Sequence, residues 1–170
     1  PKAKLFAKTS DKVIVAVVDM GVQYDHPDLA ANMWVNEAEL NGAPGVDDDG
    51  NGYVDDVYGY NFDKDTGAIE PGGHGTHCAG TIAAVNNNGI GVCGVAGGTG
   101  VGDGVRLMSC QNYDTDANGQ EVGSVTEESF IYAADNGAVI AQCSWGYNGI
   151  ETPLSMQRAI QYFIREAGTD

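Results

Sequence analysis

Val13-Ile14-Val15-Ala16-Val17-Val18-Asp19 is the stretch whose reading decides the fold. The run is apolar and mostly β-branched, with no polar residue at alternate positions. Such a run reads as a strand covered on both faces, the usual condition in a parallel sheet. It stops on Asp19-Met20-Gly21. A carboxylate at the C-terminal end of a buried parallel strand stands where open α/β sheets place ligands and chemistry. Val105–Cys110 and Ala138–Cys143 read as further buried strands, and Val57–Phe62 as a short one. Strands alternating with helical stretches make the class α/β with a mostly parallel sheet.

The first long helical stretch follows Pro71-Gly72-Gly73-His74-Gly75-Thr76-His77-Cys78-Ala79-Gly80-Thr81-Ile82-Ala83-Ala84. Gly72, Gly73 and Gly75 strip side chains from around one imidazole, so another backbone can approach it closely. Ala79, Gly80, Ala83 and Ala84 give a thin helix able to lie against a strand. Gly80 costs roughly 1 kcal/mol against Ala in such a helix, so a packing reason is expected for it. Asn86-Asn87-Asn88-Gly89 breaks the helix, and Gly97–Gly104 reads as a flexible glycine patch. Ser124-Val125-Thr126-Glu127 matches a capping box opening a helix over roughly 125–135, which Asn136-Gly137 closes. Thr152-Pro153 predicts a last helix, Thr152 as cap, reaching about Ala167, with Gly168 stopping it. His26-Pro27-Asp28-Leu29 reads as a turn into a short helical stretch. Residues 36–56 read as loop, and residues 1–12 as an extended lead-in.

A chain of 170 residues suits one domain, spanning 1–170. The formal charge of −16, with only 8 Lys and Arg, argues against nucleic acid and against an anionic membrane surface. No apolar run is long enough to span a bilayer, and residues 1–12 carry no signal peptide. Cys78, Cys93, Cys110 and Cys143 are too scattered for a disulfide framework. They read as buried free thiols behaving as small hydrophobes, and a disulfide between some pair stays open.

Asp19 closes the first strand and His74 opens the long helix, so both can meet at one sheet edge. The order Asp then His matches one of the known orders of the Ser-His-Asp triad. Asp19-Met-Gly-Val, His26-Pro-Asp-Leu, His74-Gly-Thr-His77-Cys-Ala-Gly-Thr, Ala84-Val85-Asn-Asn-Asn88-Gly-Ile-Gly-Val92 and Ser144-Trp-Gly146 together resemble the subtilisin family of serine endopeptidases, the subtilases. The resemblance implies a three-layer fold with a mostly parallel sheet flanked by helices, here the N-terminal part of the catalytic domain and incomplete on its C-terminal side. It implies His74 as general base and Asp19 as the acid that orients it. It implies that Ser144, Trp145 and Gly146 line the substrate strand, with Gly123 on the opposite rim, so that a peptide or protein substrate adds as a strand. The family often has a second glycine where Tyr147 stands.

The nucleophilic serine of that order follows the histidine by roughly 150 residues, beyond Asp170. None of Ser10, Ser109, Ser124, Ser129, Ser144 and Ser155 stands in a Gly-Thr-Ser-Met-Ala setting, and the oxyanion asparagine is absent too. The chain is therefore expected to be inactive by itself and to need the C-terminal segment of the domain, in the same parent chain or a companion chain. An α/β sheet cut here would expose an apolar edge on its last strand.

Calcium is expected at two places, in a structural role. The resemblance implies that Asp28 and Asn88 bind it with the carbonyls of Val85, Ile90 and Val92. Independently, Asp47, Asp49 and Asn51 followed by Gly52 match the first half of an EF-hand-like loop. Its twelfth position is Tyr58 rather than Glu, and Asp55 or Asp56 can substitute. Calcium loops and acidic charge suit an extracellular, periplasmic or cell-surface setting. The alternative readings are a non-catalytic subtilase-like calcium-binding or interaction domain, and a zinc hydrolase using His74 and His77.

Overall fold

The computed structural model describes residues 13–146 and 151–168. The expected lead-in at 1–12 and Tyr147 lie outside the described residues. Five strands form one sheet: β1 (Ile14–Met20), β2 (Gly59–Asn61), β3 (Arg106–Thr115), β4 (Glu121–Gly123) and β5 (Ala138–Gln142). Their order is β2-β3-β1-β5, all parallel, and β4 turns back antiparallel on the end of β3. The helices are α1 (Glu37–Asn41), α2 (Gly73–Ala83), α3 (Glu128–Asp135) and α4 (Leu154–Glu166).

Alternation along the central strands sorts the core into two layers. Val15, Val17 and Leu107 pack with Ala79 and Ala83 of α2. Ala16, Val18, Met108 and Cys110 face the other way, onto Phe130, Tyr132 and Ala133 of α3 and Met156 and Phe163 of α4. Each fully buried Val or Leu contributes about 1.5–3 kcal/mol, so β1 anchors both layers. The unbroken apolar run of β1 follows from this two-sided cover. β5 pairs with β1 along one side, while Val139 and Ile140 remain 39% and 49% exposed. The expected apolar edge is therefore present.

Several local expectations are corrected. β3 runs on to Thr115, because its polar end is held by pairing with β4. α3 begins at Glu128 with Glu127 at its N-cap and no side-chain cap bond. Ser124 is not the cap, since Asn112 Oδ1 takes the Thr126 N–H at 2.8 Å and directs the chain into the helix. Thr152 is not a cap either; α4 starts after Pro153, and Gln157 Nε2 donates to the Thr152 carbonyl. The loop read over 36–56 contains α1, capped by the Asn36 side chain accepting from Ala38 N–H. Its apolar pattern is too short to read, and its buried Glu39 is what organises it. The thiols are free as expected, but only Cys110 is buried, while Cys93 and Cys143 are exposed. The Gly97–Gly104 patch is a tight turn system with positive φ at Gly98, Gly100 and Gly102.

Candidate active site

β1 ends by delivering Asp19 into the core at 2% exposure, and α2 begins by holding His74 above it. Asp19 Oδ1 lies 2.7 Å from His74 Nδ1 and also accepts the Met20 N–H at 2.7 Å. A carboxylate only accepts here, so Nδ1 carries the proton; in the neutral imidazole this leaves the lone pair on Nε2, the tautomer a base requires. Asp19 Oδ2 is buried without a hydrogen-bond partner among the described residues. The imidazole is 48% exposed.

Backbone-on-backbone packing makes this approach possible. A Cβ on Gly75 would lie 2.0 Å from the Met20 carbonyl oxygen, and one on Gly21 2.1 Å from that of Glu70. Gly72 N–H donates to Gly21 O at 2.7 Å, and Gln23 N–H to Thr76 Oγ1 at 3.0 Å. Gly80 departs from expectation. Nothing among the described residues comes within 4 Å of its Cβ position. It faces a groove of about 630 Å³ on the outer side of α2, walled by Thr76, His77, Ala84, Val92 and Val95. His77 belongs to that groove, not to the His74 cleft. The sulfur near His74 is Cys78, with Sγ 3.9 Å from Nδ1.

A cleft of about 310 Å³ opens beside the pair, lined by Asp19, Met20, His74, Tyr113, Ser144, Trp145 and Gly146. The structure thus brings the Ser144–Gly146 segment to the dyad. Gly123 sits on β4, paired with Tyr113 of the cleft wall. Trp145 donates its indole N–H to Val18 O at 2.7 Å and meets Phe130 edge-on. It pins the segment to β1 just before Asp19 and also borders the core. Ser144 Oγ is engaged by Gln142 Nε2, and buried Ser109 Oγ accepts the Val22 N–H. Neither hydroxyl is bonded to His74.

Asp28 is buried, and the loop after α2 folds over it. Its Oδ1 accepts from Asn88 Nδ2 at 2.6 Å, its Oδ2 from Val92 N–H at 2.8 Å, and its carbonyl from Val85 N–H at 2.8 Å. Ile90 N–H reaches Asn88 Oδ1 at 3.2 Å, so Asp28, Val85, Asn88, Ile90 and Val92 come together. In these contacts the groups that meet the Asp28 and Asn88 oxygens are N–H donors, the Asn88 amide and the backbone of Val85, Ile90 and Val92.

In the second loop the acidic group is Glu39, Asp49 and Asp56, with oxygens within 4.8 Å of one another. Asp47 instead caps the loop from within, accepting from the N–H groups of Gly50, Asn51 and Gly52. The Gly52 bond foremost holds its carboxyl below the usual range. Asp55 accepts from Gly45 N–H, and Asn51 Nδ2 donates to Asp49 and Asp56. Of the residues read from the sequence, Asp49 joins the cluster with its carboxylate, and so does Asp56, the alternative to Asp55, whereas Asp47 and Asp55 do not. Glu39 was missed because α1 was not foreseen. Asp56 is fully buried, bonded to Tyr132 OH, and burial pushes its carboxyl above the usual range.

Several known proteins are similar to this chain in sequence or fold. Subtilisin-like protease 1 of Plasmodium vivax is 48% identical over 101 residues, covering 59% of this chain and 15% of that protein. Thermitase of Thermoactinomyces vulgaris is 32% identical over 149 residues, covering 87% of this chain and 42% of that protein. A solved protease from Pseudoalteromonas arctica superposes with a TM-score of 0.56 at 28% identity, covering 96% of this chain and 49% of that one. The chain thus spans less than half the length of each. Among the described residues no helix is long and apolar enough to cross a membrane. The family model described as the Subtilase family, Peptidase S8, matches residues 10–169, and the chain belongs to that family.

Proposed function

We propose that this chain is the aspartate- and histidine-bearing part of a serine endopeptidase. The observation that carries the reading is the 2.7 Å contact of Asp19 with His74 beside the Ser144–Gly146 cleft. His74 Nε2 takes the proton from a serine hydroxyl and returns it to the leaving amine. Asp19 holds the imidazole in that tautomer and stabilises the imidazolium. The serine and the side-chain oxyanion donor come from the C-terminal segment of the domain. The groove over Gly73 and Gly80 is the seat we assign to that segment. The peptide substrate lies as an added strand between Gly123 and Ser144–Gly146.

Structural calcium is part of the proposal. Asp28 and Asn88 with the Val85, Ile90 and Val92 carbonyls would hold one ion, and the Glu39-Asp49-Asp56 loop is the place for a second. An extracellular or periplasmic setting, where calcium is plentiful, fits both.

The test compares this chain with a longer polypeptide that includes a Gly-Thr-Ser-Met-like segment, both assayed on an unstructured protein. The chain gives no turnover. The longer polypeptide cleaves, and Asp19→Asn lowers its kcat by about 10⁴-fold. Full activity of Asp19→Asn, or serine-hydrolase turnover by the chain alone, contradicts the proposal.

A further inference from the structure

The C-terminal end of β3 carries buried polar side chains that the catalytic reading leaves unexplained. Gln111 and Asn112 are both fully buried. Asp19 pairs with Gln111 and Met20 with Tyr113, so Asn112 is an extra residue bulged out of the ladder opposite the end of β1. Bulges increase local twist and re-aim neighbouring side chains. Asn112 is satisfied within its own layer, donating to Cys110 O and accepting from Thr126 N–H.

Gln111 points elsewhere. Counting from Leu107 through Ser109, it lies on the α2 face, beside Asp19 in register. Its Oε1 accepts the Glu70 N–H at 2.8 Å, and its Nε2 donates to Tyr113 O at 3.3 Å. Pro71 has no N–H, so Glu70 and Gly72 are the donors that can fasten the segment leading to His74. Gly72 is bonded to Gly21 of the β1 exit, and Glu70 to Gln111. The space for this comes from Gly21, whose Cβ would lie 2.6 Å from Gln111 Oε1.

We propose that Gln111 is a positioning residue: its amide fastens the lead into α2 to the strand beside Asp19, and so sets where His74 stands over the carboxylate. The proposal rests on the reading of Asp19 and His74 as a working pair. A residue needed for stability alone would be served by an apolar side chain, because a buried amide is costly to desolvate and its hydrogen bonds return little net free energy.

The test is the solvent exchange of the His74 Nδ1 proton by NMR on the chain, assigned by its loss in His74→Ala. Gln111→Met keeps the length and removes the acceptor. Glu70→Pro removes the same donor from the other partner, its ring carbon standing where the N–H met Gln111 Oε1. Both are expected to speed exchange about three- to tenfold, the worth of one net hydrogen bond. Glu70→Ala, which keeps the N–H, leaves the rate unchanged. A wild-type rate in either Gln111→Met or Glu70→Pro overturns the positioning role and leaves the dyad intact. Absence of an Asp19-bonded Nδ1 proton in the wild-type chain overturns both readings.

Discussion

Gly75 and Gly80 stand on one helix and make opposite predictions. In Gly75→Ala the new methyl would sit 2.0 Å from the Met20 carbonyl oxygen, whereas real contacts of this kind keep at least 3.0 Å. The helix must back away from β1 by about 1 Å, because the obstacle is backbone and not a flexible side chain. A shift of that size carries the 2.7 Å Asp19–His74 contact beyond hydrogen-bonding range. Overpacking costs about 1–3 kcal/mol, and the better helix propensity of alanine returns about 1 kcal/mol. The net loss reaches about 2 kcal/mol, or roughly 4–8 °C in Tm for a chain of this size. Gly80→Ala meets nothing among the described residues, so the propensity gain of about 1 kcal/mol stands alone and Tm rises by roughly 2–4 °C. Thermal unfolding followed by circular dichroism reads both, and the His74 Nδ1 proton reports the geometry. If Gly75→Ala melts at or above wild type with that proton intact, the close-approach argument is wrong. In the longer, serine-bearing polypeptide the sign for Gly80→Ala should reverse, since the segment we seat in the groove would meet the added methyl.

Two solution measurements test the acidic loops. Calcium should raise the Tm of the chain, by an amount equivalent to about 2.7 kcal/mol at a hundredfold excess over Kd. Asp28→Ala should lower that increment, and a melt indifferent to both calcium and chelator removes the cation proposal. Asp47, Asp103 and Asp116 have carboxyls held below their usual range, foremost by the backbone N–H groups of Gly52, Thr99 and Gln120 respectively. Lowered acid values mean that this loop order is fully present above pH 3.8 and is lost as pH falls through the depressed values. The amide resonances of Gly52, Thr99 and Gln120 should therefore hold their positions down to that point and move below it. Movement at higher pH would contradict the assignment.

What the sequence determined by itself is the part encoded locally. Six successive apolar residues before Asp19 can only be covered on both sides, so β1, the parallel sheet and the flanking helices were legible, as was the thin face of α2. Asp19 and His74 were legible because each terminates a strongly patterned element. Tertiary structure alone decided the rest. Glu39 enters the acidic cluster through a short helix that carries no periodic signal, and a positive-φ turn at Asp55 decides that Asp56 joins it rather than Asp55. Asn112 overrides a good capping box by claiming Thr126 from another element. Gln111 reads as an ordinary strand residue until the register sets it beside Asp19 and within reach of Glu70. The division has one physical cause. Apolar periodicity is written along the chain, whereas a polar side chain chooses its partner among whatever backbone donors the completed fold brings within about 3 Å of it.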